Sequence, residues 1–123
     1  MSTVGMKTVI HPVHDLTSAK AVWSSLLGVE PVMDEPYYVQ FVAPDGQQVG
    51  LDPNGHRKGM TGPVGFWHVD DMDTTLKALL DAGATEKDSP IDVGGGRLVA
   101  TLLDPDGNPI GLIADPRAPD PLI

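Results

Sequence analysis

The chain has 123 residues, no cysteine, and 17 acidic residues against 8 Lys and Arg, for a net charge of −9. This length suits one compact domain with a modest core, and the missing cysteines exclude a disulfide framework and any thiolate-ligated metal. The acidic balance repels phosphate backbones and anionic headgroups, which argues against nucleic acid and membrane surfaces as partners.

The first 20 residues hold no continuous apolar run behind a basic start, because Pro12, His14 and Asp15 interrupt the one candidate. The expectation is a soluble cytoplasmic chain. Residues 6–10 include Thr8, Val9 and Ile10 and end close to Pro12, which predicts a first strand. Asp15 then caps a predicted helix in which Leu16, Ala19, Trp23, Leu26 and Leu27 recur at helical spacing, with Gly28 free to close it in the left-handed conformation. Residues 31–33 could add a short strand. Residues 37–42 read as a strand, Pro44-Asp45-Gly46 as a turn, and residues 47–51 as the returning partner.

Asn54, Gly55, Gly59, Gly62 and Pro63 break periodicity and place an irregular linker at 53–62. A strand over 64–69 follows, then a helix capped by Asp70 or Asp71, carrying Met72, Leu76, Leu79 and Leu80 on one face and ended by Gly83. Strands are predicted near 85–93, over 97–103 after the Gly94-Gly95-Gly96 turn, and over 110–114 after Pro105-Asp106-Gly107. The tail from Asp115, with Pro116, Pro119 and Pro121, reads as loosely ordered.

Pro44-Asp45-Gly46 leads to Gly50-Leu51 as Pro105-Asp106-Gly107 leads to Gly111-Leu112, and both helices precede their turns in the same order. Pro-Asp-Gly alone is a common hairpin sequence. The shared order makes duplication the better reading, with a first module at about 6–52 and a second at about 63–115 inside a single domain spanning 1–123. The longer spacing between the turns than between the helices fits a small surface insertion in the second copy.

Three segments carry a family resemblance: Pro12-Val13-His14-Asp15-Leu16 before a helix ending Leu27-Gly28, Trp67-His68-Val69-Asp70-Asp71 before a helix ending Ala82-Gly83, and Asp104-Pro105-Asp106-Gly107-Asn108-Pro109 before the last strand. Together they resemble the vicinal oxygen chelate superfamily, which includes glyoxalase I, extradiol dioxygenases and bleomycin resistance proteins. The resemblance implies an α+β fold of two tandem β-α-β-β-β modules, forming curled mixed sheets around a cleft, and a homodimer. It also implies a divalent metal held by His or Gln in each first strand and Glu in each last strand. Thr8, Gly50, Val64 and Gly111 stand at those places, and they offer an ion one neutral hydroxyl at most. The expectation is no metal, no cofactor and no catalytic residue.

Alternation then selects the ligand contacts. With Val64 facing the cleft, Phe66 and His68 face it too, and Trp67 turns to the helix layer with Trp23 as a packing residue. An inward Gly50 brings Gln48 and Asp52 to its face. On the neighbouring strand Tyr37, Val39 and Phe41 form the more apolar set and go to the core, leaving Tyr38 and Gln40 for the ligand. The candidate ligand-binding set is Tyr38, Gln40, Asp52, Phe66 and His68. Arg97, after three glycines, could clamp an anion or stand as an edge charge.

The reading that follows is a metal-free binding protein for a small organic ligand, such as an antibiotic or amphipathic metabolite. The alternative is a glyoxalase-like lyase, isomerase or dioxygenase with an unorthodox metal site drawn from His11, His56, His68 and Asp52. No Gly-x-Ser-x-Gly elbow and no cysteine support a nucleophilic enzyme.

Overall fold

Asp15 and Asp71 start the two helices as side-chain caps. In the computed structural model, which describes residues 3–116, Asp15 accepts from the Ser18 amide and Asp71 from the Thr74 amide, each at 3.1 Å. These bonds satisfy amides that have no partner inside the helix. The elements in chain order are β1 (Thr3–Pro12), α1 (Leu16–Leu27), β2 (Met33–Glu35), β3 (Tyr38–Val42), β4 (Gln48–Asp52), β5 (Val64–Val69), α2 (Met72–Asp81), β6 (Thr85–Asp92), β7 (Leu98–Leu103) and β8 (Pro109–Ala114). The order β-α-β-β-β therefore occurs twice, in an α+β fold with mixed sheet pairing.

Differences from the predicted elements lie at the ends. β1 starts at Thr3 rather than near residue 6, the short extra strand falls at Met33–Glu35, and one turn of 3-10 helix, His56–Lys58, forms within the linker. Of the tail, only Asp115 and Pro116 are described; the rest of that expectation lies outside the described residues.

The chain divides into two compact units, one of Lys7–Gly65 and one in which residues 3–6 join 66–116. In the first unit the strand order is β2-β3-β4-β1, with β3 antiparallel and β1 parallel to β4. Val39, Phe41, Val49 and Leu51 point to one side and pack with Leu16, Ala19, Trp23 and Leu27 of α1. The Gly28 backbone, at φ 72°, closes that helix as the sequence anticipates. Tyr37 was expected in this core; it precedes β3 and is 59% exposed, because the strand's alternation begins one residue later.

The second unit has the order β5-β8-β7-β6, with β5 parallel and β7 antiparallel to β8. Its helix-side core is Val69, Met72, Ala100, Leu102, Leu112 and Ala114, joined by Leu76 and Leu79 of α2. Trp67 shares the side of Val69 by alternation and was expected to pack there, yet it is 41% exposed and does not fill this core. Trp23 packs as expected.

The last turn depends on one exposed carboxylate. Asp104 accepts from the Asn108 amide, from the Asn108 side chain and from the Asp106 amide, at 2.8 to 3.0 Å, and these bonds, those from Asn108 foremost, hold its pKa below the ordinary 3.8. A depressed folded pKa means that the native state binds fewer protons than the unfolded chain in acid. The stabilisation is complete above the unfolded value and lost as pH falls through the folded one. Urea unfolding of Asp104→Ala against the native protein should therefore show a clear deficit near neutrality that shrinks below about pH 3.

Candidate functional site

On the helix-free side of the first unit the alternation that buries Val39, Phe41, Val49 and Leu51 presents Tyr38, Gln40, Gln48 and Gly50. Thr8 of β1 lies opposite Gln48, and Gln40 lies opposite Gly50. These side chains form a continuous hydrogen-bonded chain. The Thr8 hydroxyl donates to Gln48 Oε1 at 2.8 Å, Gln40 Nε2 donates to the same oxygen at 3.3 Å, and the Tyr38 hydroxyl donates to Gln40 Oε1 at 3.4 Å. Two donors on one carbonyl oxygen orient the Gln48 amide with its N–H groups turned away from Thr8 and Gln40.

Tyr38 reaches diagonally across the strands to lie over Gly50. A Cβ built on Gly50 would sit 2.1 Å from the Tyr38 hydroxyl oxygen and 2.8 Å from Cζ. The second unit repeats the arrangement by a different route: Phe66 lies directly opposite Gly111 in register, and a Cβ on Gly111 would sit 2.5 Å from Cδ2 and 2.6 Å from Cγ of its ring. Neither glycine has a positive φ, so the absent side chain, and not backbone freedom, is what each position uses.

The other predicted contacts have local partners. Asp52 is buried, and its oxygens accept from the Asn54 amide at 2.8 Å and from Lys58 Nζ at 2.8 Å. It therefore anchors the loop that begins after β4. Phe66 is only 5% exposed, its ring folded over Gly111. His68 is buried, with Nδ1 3.6 Å from Asp115 Oδ2 and its carbonyl accepting from the Thr3 hydroxyl at 2.8 Å.

The superfamily's metal would need donor atoms that these residues do not supply. Thr8 gives its hydroxyl proton to Gln48, Val64 and the two glycines have no donor atom, and aromatic rings fill the space a residue-50 or residue-111 carboxylate would enter. The alternative histidine set is not gathered either. His11 lies on the helix side, 4.6 Å from the Trp23 ring, where burial lowers its pKa; His56 stacks on His14 at 4.0 Å with the rings 5° from parallel. No group of three His, Cys, Asp or Glu that could hold a metal occurs among the described residues. These residues do not fit the metal.

Two polar residues were missed as candidates by sequence reasoning. Gln48 was recognised as sharing a face with Gly50, and Thr8 only as an absent ligand; the β1–β4 register joins them. Nothing local in the sequence signals that bond.

A two-module mixed fold with this connectivity defines a protein of the vicinal oxygen chelate superfamily, and the comparisons agree. The family model described as "Glyoxalase-like domain" matches residues 7–113, so the chain belongs to that family. Among solved structures, methylmalonyl-CoA epimerase from Mycobacterium tuberculosis is 16% identical, with a TM-score of 0.68 over 94% of this chain and 90% of that one. A glyoxalase/bleomycin resistance protein/dioxygenase superfamily member from Vibrio splendidus 12B01 is 16% identical, with a TM-score of 0.66 over 88% and 97%. The Mn(II)-bound glyoxalase from Novosphingobium aromaticivorans is 19% identical, with a TM-score of 0.68 over 98% of this chain and 44% of that one. Identities this low establish shared fold alone. No curated protein matches the sequence significantly. No helix among the described residues is long and apolar enough to cross a membrane.

The ring-over-glycine contacts predict an asymmetric response to an added methyl. Gly111→Ala meets the base of the Phe66 ring, which cannot swing clear in a buried site, and should destabilise by about 1–3 kcal/mol. Gly50→Ala meets the far end of Tyr38 and should cost less, with the loss removed in a Tyr38→Ala background. Urea denaturation measures both, with Gly50→Ala, Tyr38→Ala and their double variant compared with the native protein as a double-mutant cycle.

Proposed function

We propose that this protein binds a small organic molecule without the divalent metal that its superfamily implies. The observation that supports it best is the filling, by Tyr38 and Phe66, of the volumes above Gly50 and Gly111. A carboxylate ligand and an aromatic ring cannot share either volume, so retention of the rings excludes those two metal donors. What replaces them on the first unit is a phenol, two amides and a hydroxyl in one hydrogen-bonded chain. Such groups orient a neutral or amphipathic ligand through donors and acceptors and supply neither a Lewis acid nor an evident general base.

Sequestration of an antibiotic or amphipathic metabolite is the function this chemistry suits. Tyr38, Gln40 and Gln48 make the polar contacts, while Asp52 holds the loop that carries Lys58. In the same reading the protein is a cytoplasmic homodimer, and its charge of −9 keeps it from nucleic acid and anionic membranes.

Elemental mass spectrometry after incubation with Zn, Ni, Mn and Fe salts and desalting should find well below one metal per chain. A retained, near-stoichiometric ion would overturn the proposal in favour of glyoxalase or dioxygenase chemistry. In a thermal-shift screen of amphipathic antibiotics and metabolites, a ligand at 100 times its Kd stabilises by about 2.7 kcal/mol. For any such ligand Tyr38→Phe, which removes one hydrogen-bonding hydroxyl worth about 1 kcal/mol, should weaken affinity roughly fivefold.

A further inference from the structure

The second unit contains a guanidinium with two nitrogens that have no hydrogen-bond partner among the described residues. Arg97 precedes β7 and falls in the same alternation as Val99 and Thr101, opposite the helix-side residues Leu98, Ala100 and Leu102. Its Nε is 3.1 Å from Asp115 Oδ1, an ion pair by distance. The N–H is not aligned on that oxygen, however, and both Nε and Nη2 are buried with no hydrogen-bond partner among the described residues. Buried polar groups are nearly always satisfied, so two idle donors on one charged group call for an explanation.

Nε and Nη2 form one edge of the guanidinium, the edge that a carboxylate engages with two parallel N–H···O bonds. Asp115 does not fill this role. One of its oxygens approaches Nε while the other leans towards His68 Nδ1, 3.6 Å away and beyond hydrogen-bond range. Asp115 follows Ala114, which is paired to Leu98 across the β7–β8 ladder, so its backbone is tied to the strand end beside Arg97. It remains 55% exposed, loosely shared between two cationic or potentially cationic groups.

From this geometry we infer that the Nε/Nη2 edge of Arg97 is a binding site for the carboxylate of a small ligand, with His68 beside it and Asp115 as a built-in, displaceable competitor. The incoming group takes both idle donors, and Asp115 withdraws into solvent. The chain's charge of −9 opposes any anion, but charges farther than about 8 Å are largely screened at physiological salt, whereas the guanidinium contact is direct. Weak affinity for minimal carboxylates follows. This site lies within the second unit and does not depend on the metal-free reading of the first.

The test is titration of isotopically labelled protein with benzoate and acetate, followed by NMR of the Arg97 Nε–H and of the Leu98 and Ala114 amides. Benzamide and sodium chloride at matched ionic strength are the controls. Carboxylates should give saturable shifts, and the controls none. Arg97→Lys, which keeps the charge but loses the fork, should weaken binding at least tenfold as read from the two amides. Asp115→Asn, which removes the competitor, should tighten it severalfold. Thermal unfolding of both variants confirms that they fold. No saturable response in either the native protein or Asp115→Asn overturns the inference, as does an equal response to chloride or an affinity unchanged in Arg97→Lys.

Discussion

Everything on the helix-free side of the first unit is placed by the packing on its back. Val39, Phe41, Val49 and Leu51 seat under α1, and because side chains alternate along a strand, the residues between them are turned the other way. A slip of one residue in β3 or β4 would carry Tyr38, Gln40 and Gln48 into the core and expose Phe41 and Leu51, so the apolar contact fixes the polar face as firmly as itself. The Asp15 cap and the left-handed Gly28 matter for the same reason: they set where α1 begins and ends, and hence which of its residues meet the sheet.

Each unit uses one glycine in an unusual way. Gly50 and Gly111 have ordinary backbone angles, and each is a place where a ring lies against the main chain. Tyr38 arrives diagonally from β3 and Phe66 directly from β5, so two different strand relationships produce the same local outcome. The physical consequence is exclusion. A side chain at either position competes for volume with an aromatic ring, and the metal-donor chemistry implied by the fold gives way to a ring and a set of neutral hydrogen-bonding groups.

The acidic residues are distributed to match. Asp15 and Asp71 cap helices, Asp104 organises a turn, and Asp52 holds the Asn54 amide and Lys58. Each is engaged by donors within a few residues, and no group of three His, Cys, Asp or Glu that could hold a metal occurs among the described residues. Arg97 stands apart because its surroundings satisfy its charge more fully than its geometry. Ion pairing needs only proximity, whereas a guanidinium edge needs two aligned acceptors.

Several features were legible in the sequence because they are local or periodic: two helices, with the Asp15 and Gly28 caps of the first, the strand of Val64–Val69 to the residue, the assignment of Val39 and Phe41 to the core and of Tyr38 and Gln40 to the opposite side, and the lack of any imidazole, amide or carboxylate side chain at positions 8, 50, 64 and 111. Those follow from periods of 2 and 3.6 and from residue chemistry alone. Tertiary structure decided the rest. It laid Tyr38 over Gly50 and Phe66 over Gly111, bonded Thr8 to Gln48, tied Asp52 to Lys58, set Asp115 between Arg97 and His68, and left Tyr37 and Trp67 exposed. These depend on strand register and on the direction each side chain takes from its backbone. A period tells which side of a sheet a residue faces, but only pairing between strands tells which neighbour it meets there.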